Sequence, residues 1–242
     1  MLLIASIVVV VIVVFVALAF RIARPRLLWI RAMLRDWPNL ARYAAENAKL
    51  GPVAPGERRA IFMGDSITEL WDLTQSFPGQ PYVNRGISGQ TTAQMLLRFR
   101  QDVIELQPVA VIIQGGANDM GEVLGPMTLQ MTQNNLASMA ELARLHSIAV
   151  VLAAMLPTRD PGGNKVTARC SPLKIRQLNL WIREYCEKTR LVYLDFYSPM
   201  ADGSGLLRPG LSDDGLHPNA AGYAVMTPLM QNAIRSALES GE

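Results

Sequence analysis

A three-layer α/β/α sandwich around a five-stranded, mainly parallel sheet, preceded by one N-terminal transmembrane helix, is the fold class this 242-residue sequence predicts. Short β-rich runs alternate with longer stretches of helical periodicity, which implies parallel strands joined by right-handed crossovers. Polar residues of chemical interest fall directly after those runs, at the carboxyl edge where parallel sheets bind ligands. The first twenty residues are apolar apart from Ser6.

Taken in chain order, residues 1–20 form a run that, as a helix, would span about 30 Å, the thickness of a bilayer's hydrocarbon core. Ala17-Leu18-Ala19 resembles a cleavage site, but no Lys or Arg precedes the run, which favours an uncleaved anchor over a signal peptide. Arg21, Arg24, Arg26, Arg31 and Arg35 follow, a basic cluster suited to lipid headgroups, and by the positive-inside rule they place the next domain in the cytoplasm. Residues 21–58 read as a juxtamembrane linker: Arg26 to Leu50 is amphipathic and helical, interrupted at Trp37-Pro38, and Gly51-Pro52-Val53-Ala54-Pro55-Gly56 ends it. Residues 59–242 are enough for one core and one domain.

Within that domain, β-rich runs occur at Ala60 to Met63, Tyr82 to Asn84, Val109 to Ile113, Ile148 to Ala153 and Leu191 to Leu194. The clearest helices are Thr91 to Gln107, Thr128 to His146, Pro172 to Lys188 and Asn219 to Leu238, where apolar residues recur at three- and four-residue steps. Net charge is +3, but much of the excess is the N-terminal arginine cluster, and no basic stripe with interleaved aromatics follows. Nucleic-acid binding is therefore not expected. Cys170 and Cys186 lack metal-ligand spacing.

Gly64-Asp65-Ser66-Ile67-Thr68 follows the first strand. A serine there either caps a helix, its commonest job, or projects its Oγ at the sheet edge with its backbone NH facing outward. Asn84-Arg85-Gly86-Ile87-Ser88-Gly89-Gln90 follows the second strand, and its glycines let a backbone NH face a ligand. After the third come Gly115-Gly116-Ala117-Asn118-Asp119, where the Asn118 amide can donate to a developing negative charge. Asp214-Gly215-Leu216-His217-Pro218 precedes the last helix, and the three-residue spacing lets a carboxylate hold one imidazole nitrogen while the other faces the serine. The other of the two histidines, His146, ends a helix and reads as a solvated cap.

These four blocks, in this order, resemble the signature of the GDSL/SGNH hydrolase family of serine esterases and lipases, over nearly the whole chain from about Arg59. The resemblance implies the flavodoxin-like SGNH hydrolase fold, with Ser66 as nucleophile, His217 as general base and acid, and Asp214 as its orienter. It further implies an oxyanion hole made by the Ser66 NH, the Gly89 NH and the Asn118 side chain. Ile67 stands where the family's name has leucine, and Gln90 where many members have Asp; neither is a triad position. Hydrolysis through an acyl-enzyme then needs no metal or organic cofactor. The expected substrate is a small acyl ester, acetyl groups on carbohydrates included, because no long apolar insertion is available to cover a fatty chain. Lysophospholipids and acyl thioesters are the alternatives.

Other chemistries are weaker. Ser171-Pro172-Leu173-Lys174 has a Ser-x-x-Lys spacing without its partner motifs, and no Gly-x-Ser-x-Gly elbow is present. A metal phosphoesterase could draw on Asp65, Asp119, Asp214 and His217, but two histidines make a poor ligand supply. A tethered, catalytically inactive carbohydrate-binding module is the reading from another class, although a pure binder has no need of a nucleophile with its base. The stretch Pro157 to Ser171 is expected to shape the pocket. Similarity of Asp36 to Tyr43 to exported members of the resembled family favours an anchored domain outside the cytoplasm, against the positive-inside argument. Nothing in the sequence sets the oligomeric state.

Overall fold

The computed structural model describes residues 14–15, 17–25, 27–28, 35–163 and 165–239. Most of the expected membrane-crossing segment, residues 1–13 and 16, lies outside them, and among the described residues no helix is long and apolar enough to cross a membrane. The chain divides into two units, Met1–Ala41 and Arg42–Glu242. In the first, the described residues between 14 and 28 are helical and exposed. The Asp36 carboxylate then closes a turn by accepting from the amides of Leu40 (2.8 Å) and Ala41 (2.9 Å).

The second unit holds five strands, β1 (Ala60–Gly64), β2 (Tyr82–Gly86), β3 (Ala110–Gln114), β4 (Ala149–Ala153) and β5 (Val192–Leu194), each within a residue or two of its expected place. They form one sheet in the order β2-β1-β3-β4-β5 with every pair parallel. Every residue of β1 and β3 is buried, as a parallel sheet covered on both faces requires. The two-residue period of a strand splits them between two cores. Ile61, Met63, Val111 and Ile113 join one, with Met95, Phe99, Leu136 and Leu178; Phe62 and Ile112 join the other, with Trp71, Phe77, Met226 and Ile234.

Helices supply those partners. On the first face lie α4 (Thr92–Asp102), α6 (Leu129–Leu145) and α8 (Pro172–Thr189); α10 (Ala220–Glu239) covers the second. The shorter α1 (Ala44–Leu50), α2 (Ser66–Glu69), α3 (Leu73–Ser76), α5 (Ala117–Met120), α7 (Val166–Arg169) and α9 (Tyr197–Met200) complete the described set. The expected helix from Thr91 to Gln107 stops early: Val103 leaves helical geometry, a 3-10 turn covers Ile104–Leu106, and Gln107 takes a left-handed conformation at φ 49°. Val103, Ile104 and Leu106 stay buried through the break, which is why their apolar periodicity carries on past the helix end.

This strand order reverses direction beside β1, with β2 on one side and β3 on the other. Loops leaving the strands diverge there and open a crevice at the carboxyl edge. Packing at that edge is tight enough to dictate residue type. A Cβ on Gly86, at the end of β2, would sit 2.2 Å from the Glu69 amide nitrogen and 2.7 Å from its Cα, backbone atoms that cannot swing away. At Gly89 a Cβ meets nothing within 4 Å, but the φ of +78° is left-handed. Gly86→Ala is therefore expected to lose about 1–3 kcal/mol or more to overpacking, and Gly89→Ala only the left-handed penalty of about 1–2 kcal/mol. Urea midpoints at unchanged m-value would measure both, and a Gly86→Ala midpoint equal to that of the parent would contradict the packing argument.

Candidate active site

Four loops meet at this edge. Asp65, between β1 and α2, caps the short helix with its own carboxylate, which accepts from the Ile67 amide at 3.0 Å. Ser66 is the first residue of α2, so its amide is one of the unpaired donors of a helix start, and Asp65 rather than Ser66 is the cap. The last helix steadies the turn, Tyr223 Oη donating to the Ile67 carbonyl at 2.8 Å.

The carboxylate of Asp214 organises the turn that delivers the histidine. Its Oδ1 accepts from the amides of Leu216 (2.9 Å) and His217 (2.8 Å), which folds the backbone back on itself. That fold leaves Oδ2 at 2.6 Å from His217 Nδ1. The three-residue spacing thus serves turn and ring with one side chain. Gly215 permits it with φ +84°, where a Cβ would lie 2.0 Å from the Arg159 carbonyl oxygen. The other ring nitrogen, Nε2, stands 2.9 Å from Ser66 Oγ. With Nδ1–H donating to Asp214, Nε2 is the acceptor for the serine hydroxyl.

Burial pushes the Asp214 carboxyl upward, but donation from the His217 ring and from the His217 and Leu216 amides outweighs it and holds the group down at about 2. It is therefore an anion at neutral pH. Ser66, His217 and Asp214 stand in one hydrogen-bonded line.

Asn118 begins α5 behind Gly116, which takes φ +126°. Its Nδ2 donates one hydrogen to the Gln90 carbonyl at 2.9 Å, leaving the other free to point elsewhere. Gln90 follows Gly89 in the loop after β2, and Thr91 opens α4 with a capping box to Gln94. Asn118 and the Gly89 loop are thereby tied together. A second tie runs through Asp119, which accepts from Thr92 Oγ1, from the Thr92 amide (3.0 Å) and from Thr132 Oγ1 (3.2 Å).

A cavity of about 390 Å³ opens beside these groups, lined by Asn118, Asp214, Leu216 and His217 and by the 165–170 segment. That segment falls inside the stretch expected to shape the pocket. Arg159, from the same stretch, instead pairs with Asp202 and donates to the Leu207 carbonyl. Among the described residues no group of three or more His, Cys, Asp or Glu is placed to hold a metal ion. Cys170 and Cys186 are both free and buried. Burial raises the thiol pKa of each, that of Cys186 to about 12.

A serine hydroxyl, an imidazole and a carboxylate in line, at the carboxyl edge of a 2-1-3-4-5 parallel sheet, are the architecture of the SGNH class of hydrolases. Within that class the GDSL-like lipase/acylhydrolase family matches residues 62–225, and the chain belongs to this family of carboxylic ester hydrolases. It is 40% identical to a GDSL-like lipase from Bacteroides thetaiotaomicron, covering 84% of this chain and 100% of that one, with a TM-score of 0.78. It is also 33% identical to esterase TesA of Pseudomonas aeruginosa over 141 residues, 57% of this chain and 62% of the relative. Identity to the uncharacterized lipoprotein YqeF of Bacillus subtilis is 33% over 127 residues, 45% of this chain and 52% of the relative. The chain thus spans between half and two thirds of the length of these two curated relatives.

Asp65 supplies a pH signature. Full burial, with Asp119 nearby adding to it, raises its pKa from 3.8 to about 6 despite the Ile67 hydrogen bond. The folded state holds this proton more tightly than the unfolded chain does, so the contribution to stability is complete below pH 3.8 and lost as pH rises through about 6. Urea unfolding between pH 4 and 7 is expected to show Asp65→Asn declining less steeply than the parent, since its amide oxygen caps Ile67 without a charge. Identical slopes for the two proteins would refute this.

Proposed function

We propose that this protein hydrolyses small acyl esters, acetyl groups on carbohydrates included, through a Ser66–His217–Asp214 triad and an acyl-enzyme intermediate. The observation that carries the proposal is the unbroken line from Ser66 Oγ through His217 Nε2 (2.9 Å) and Nδ1 to Asp214 Oδ2 (2.6 Å). As Oγ attacks the ester carbonyl carbon, Nε2 accepts its proton, and the imidazolium that forms is stabilised by Asp214. Collapse of the tetrahedral intermediate breaks the bond to the alcohol oxygen, which leaves with the proton from Nε2. Water then repeats the sequence against the acyl-enzyme, releasing the acid and restoring the serine.

The negative oxygen of each intermediate is assigned to the Ser66 NH, the Gly89 NH and the second Nδ2 hydrogen of Asn118. Support comes from the Gln90 carbonyl, which fixes the amide's orientation by taking the first hydrogen. A preorganised donor needs no rearrangement as charge develops. Small acyl groups suit a cavity of about 390 Å³, near the lower end of the roughly 300–1,000 Å³ usual for ligand pockets. We further assign residues 1–20 as an anchor that holds the catalytic domain outside the cytoplasm, the domain beginning not at 59, where the sequence places it, but with the compact unit Arg42–Glu242, since Tyr43 and Asn47 bond into it. The apolar run at 1–20 and the lipoprotein name of a relative support the anchoring.

The test is hydrolysis of 4-nitrophenyl acetate, butyrate and decanoate by the full chain. Ser66→Ala is expected to fall to the background rate, and Asn118→Ala to lose about a hundred- to a thousandfold in kcat. Activity undiminished in Ser66→Ala would remove the nucleophile assignment. A steep rise of kcat/KM from acetate to decanoate would remove the small-acyl assignment.

A further inference from the structure

Lys165 and Arg169 line the cavity that also holds Asn118, Asp214 and His217. They lie four residues apart, Lys165 at the position just before α7 and Arg169 at its end, and α7 thus carries both to the same cavity. The turn that sets α7 in place is anchored: Asp160 accepts from the Thr167 amide and from Thr167 Oγ1, both at 2.7 Å. Arg169 reaches toward α5, its Nη2 lying 3.9 Å from where a Cβ on Gly121 would stand, three residues beyond Asn118.

The charge on this wall is poorly compensated. Among the described residues, neither Lys165 nor Arg169 has a carboxylate oxygen within the 4.0 Å of an ion pair. Asp160 feels the charge of Lys165 from beyond ion-pair distance, while its oxygens accept from Thr167. Asp214 is the one carboxylate among the cavity's described lining residues, and its oxygens hold the His217 ring and turn. Two cations lining one cavity favour a bound anion, with which each can form charge-assisted hydrogen bonds.

We propose that the ester this enzyme cleaves carries an anionic group, a carboxylate or a phosphate, bound by Lys165 and Arg169 within the cavity. The inference rests on the hydrolase reading above and adds a substrate class to it. The anion sits close to the ester linkage, because the cations and the Asn118–His217 pair share one cavity of about 390 Å³. An acidic substrate is also drawn in by the field of the two cations, an attraction that salt screens.

Two matched pairs of esters test this on the full chain. In the first, 4-nitrophenyl hemisuccinate is compared with its methyl ester, which places the charge on the acyl side. In the second, 1-acetylglycerol 3-phosphate is compared with 1-acetylglycerol, which places it on the alcohol side. The expected result is a kcat/KM ratio favouring the anionic member of at least one pair by about tenfold or more. Lys165→Gln and Arg169→Gln are each expected to lower that ratio, as is added salt. Hydrolysis of the neutral members with no charge preference in either pair would overturn the inference alone, as would a preference that survives both substitutions. No hydrolysis of any of the four esters would instead overturn the hydrolase reading on which it rests.

Discussion

The carboxyl edge of this sheet is organised around one buried cation. Arg98, on α4, has no exposed surface, yet its guanidinium touches three separate parts of the fold. Nη2 donates to the Gly64 carbonyl at 3.0 Å, the last residue of β1 before Asp65 and Ser66. Nε donates to the Gln90 side chain at 2.6 Å, in the residue whose carbonyl orients Asn118. Nη1 pairs with Asp102 at 3.1 Å, supplying the negative charge without which a guanidinium could not be buried. Burial lowers the Arg98 pKa and Asp102 opposes that change. Removing one partner of such a pair typically costs about 3–5 kcal/mol, because the other is left charged and unmatched.

The same economy of partners recurs around the site. Asp214 forms both the turn and the contact to the imidazole, and Asp119 binds the start of α4 to the start of α6 while sitting next to Asn118. Asp214 shapes its own turn while aiming the ring, and Asp119 joins the segments that follow β2 and β3, so ring and amide are each positioned by short hydrogen bonds to a carboxylate or beside one and not by loop stiffness. A sheet that reverses its winding beside β1 makes such bridging possible, because the loops after β1, β2 and β3 leave from neighbouring strands.

Much of the architecture was legible in the sequence. Buried parallel strands advertise themselves as apolar runs such as Ala60 to Met63 and Val109 to Ile113, and α6, α8 and α10 carry clear apolar stripes. The candidate site was legible for a different reason: reactive residue types stand directly after the strands, and topology brings Ser66, His217 and Asp214 together. Arg98 was not. An arginine in an amphipathic helix reads as a solvent-facing residue, and only the tertiary placement of Gly64, Gln90 and Asp102 shows that it is enclosed. The Arg159–Asp202 pair was equally hidden, since 43 residues separate its members and no local pattern links them. The left-handed Gln107 and the early end of α4 were masked because buried side chains continue across the break.

One helix that carries no reactive group has a bearing on where this enzyme can be cut. Tyr43, just ahead of α1, donates its hydroxyl to the Gly86 carbonyl, and Arg42 and Arg85 both lie over its ring at 4.6 Å. Asn47 accepts from Arg85 Nε at 2.8 Å and donates to Asp102 at 2.7 Å, the same carboxylate that neutralises Arg98. A shortened chain that started at the first strand would strip a donor from the end of β2 and an amide from two buried charges at once. Protease nicking or engineered trimming in the loop at 51–56 would therefore reach the candidate site from a distance, by loosening the underside of the loop that carries Gly89.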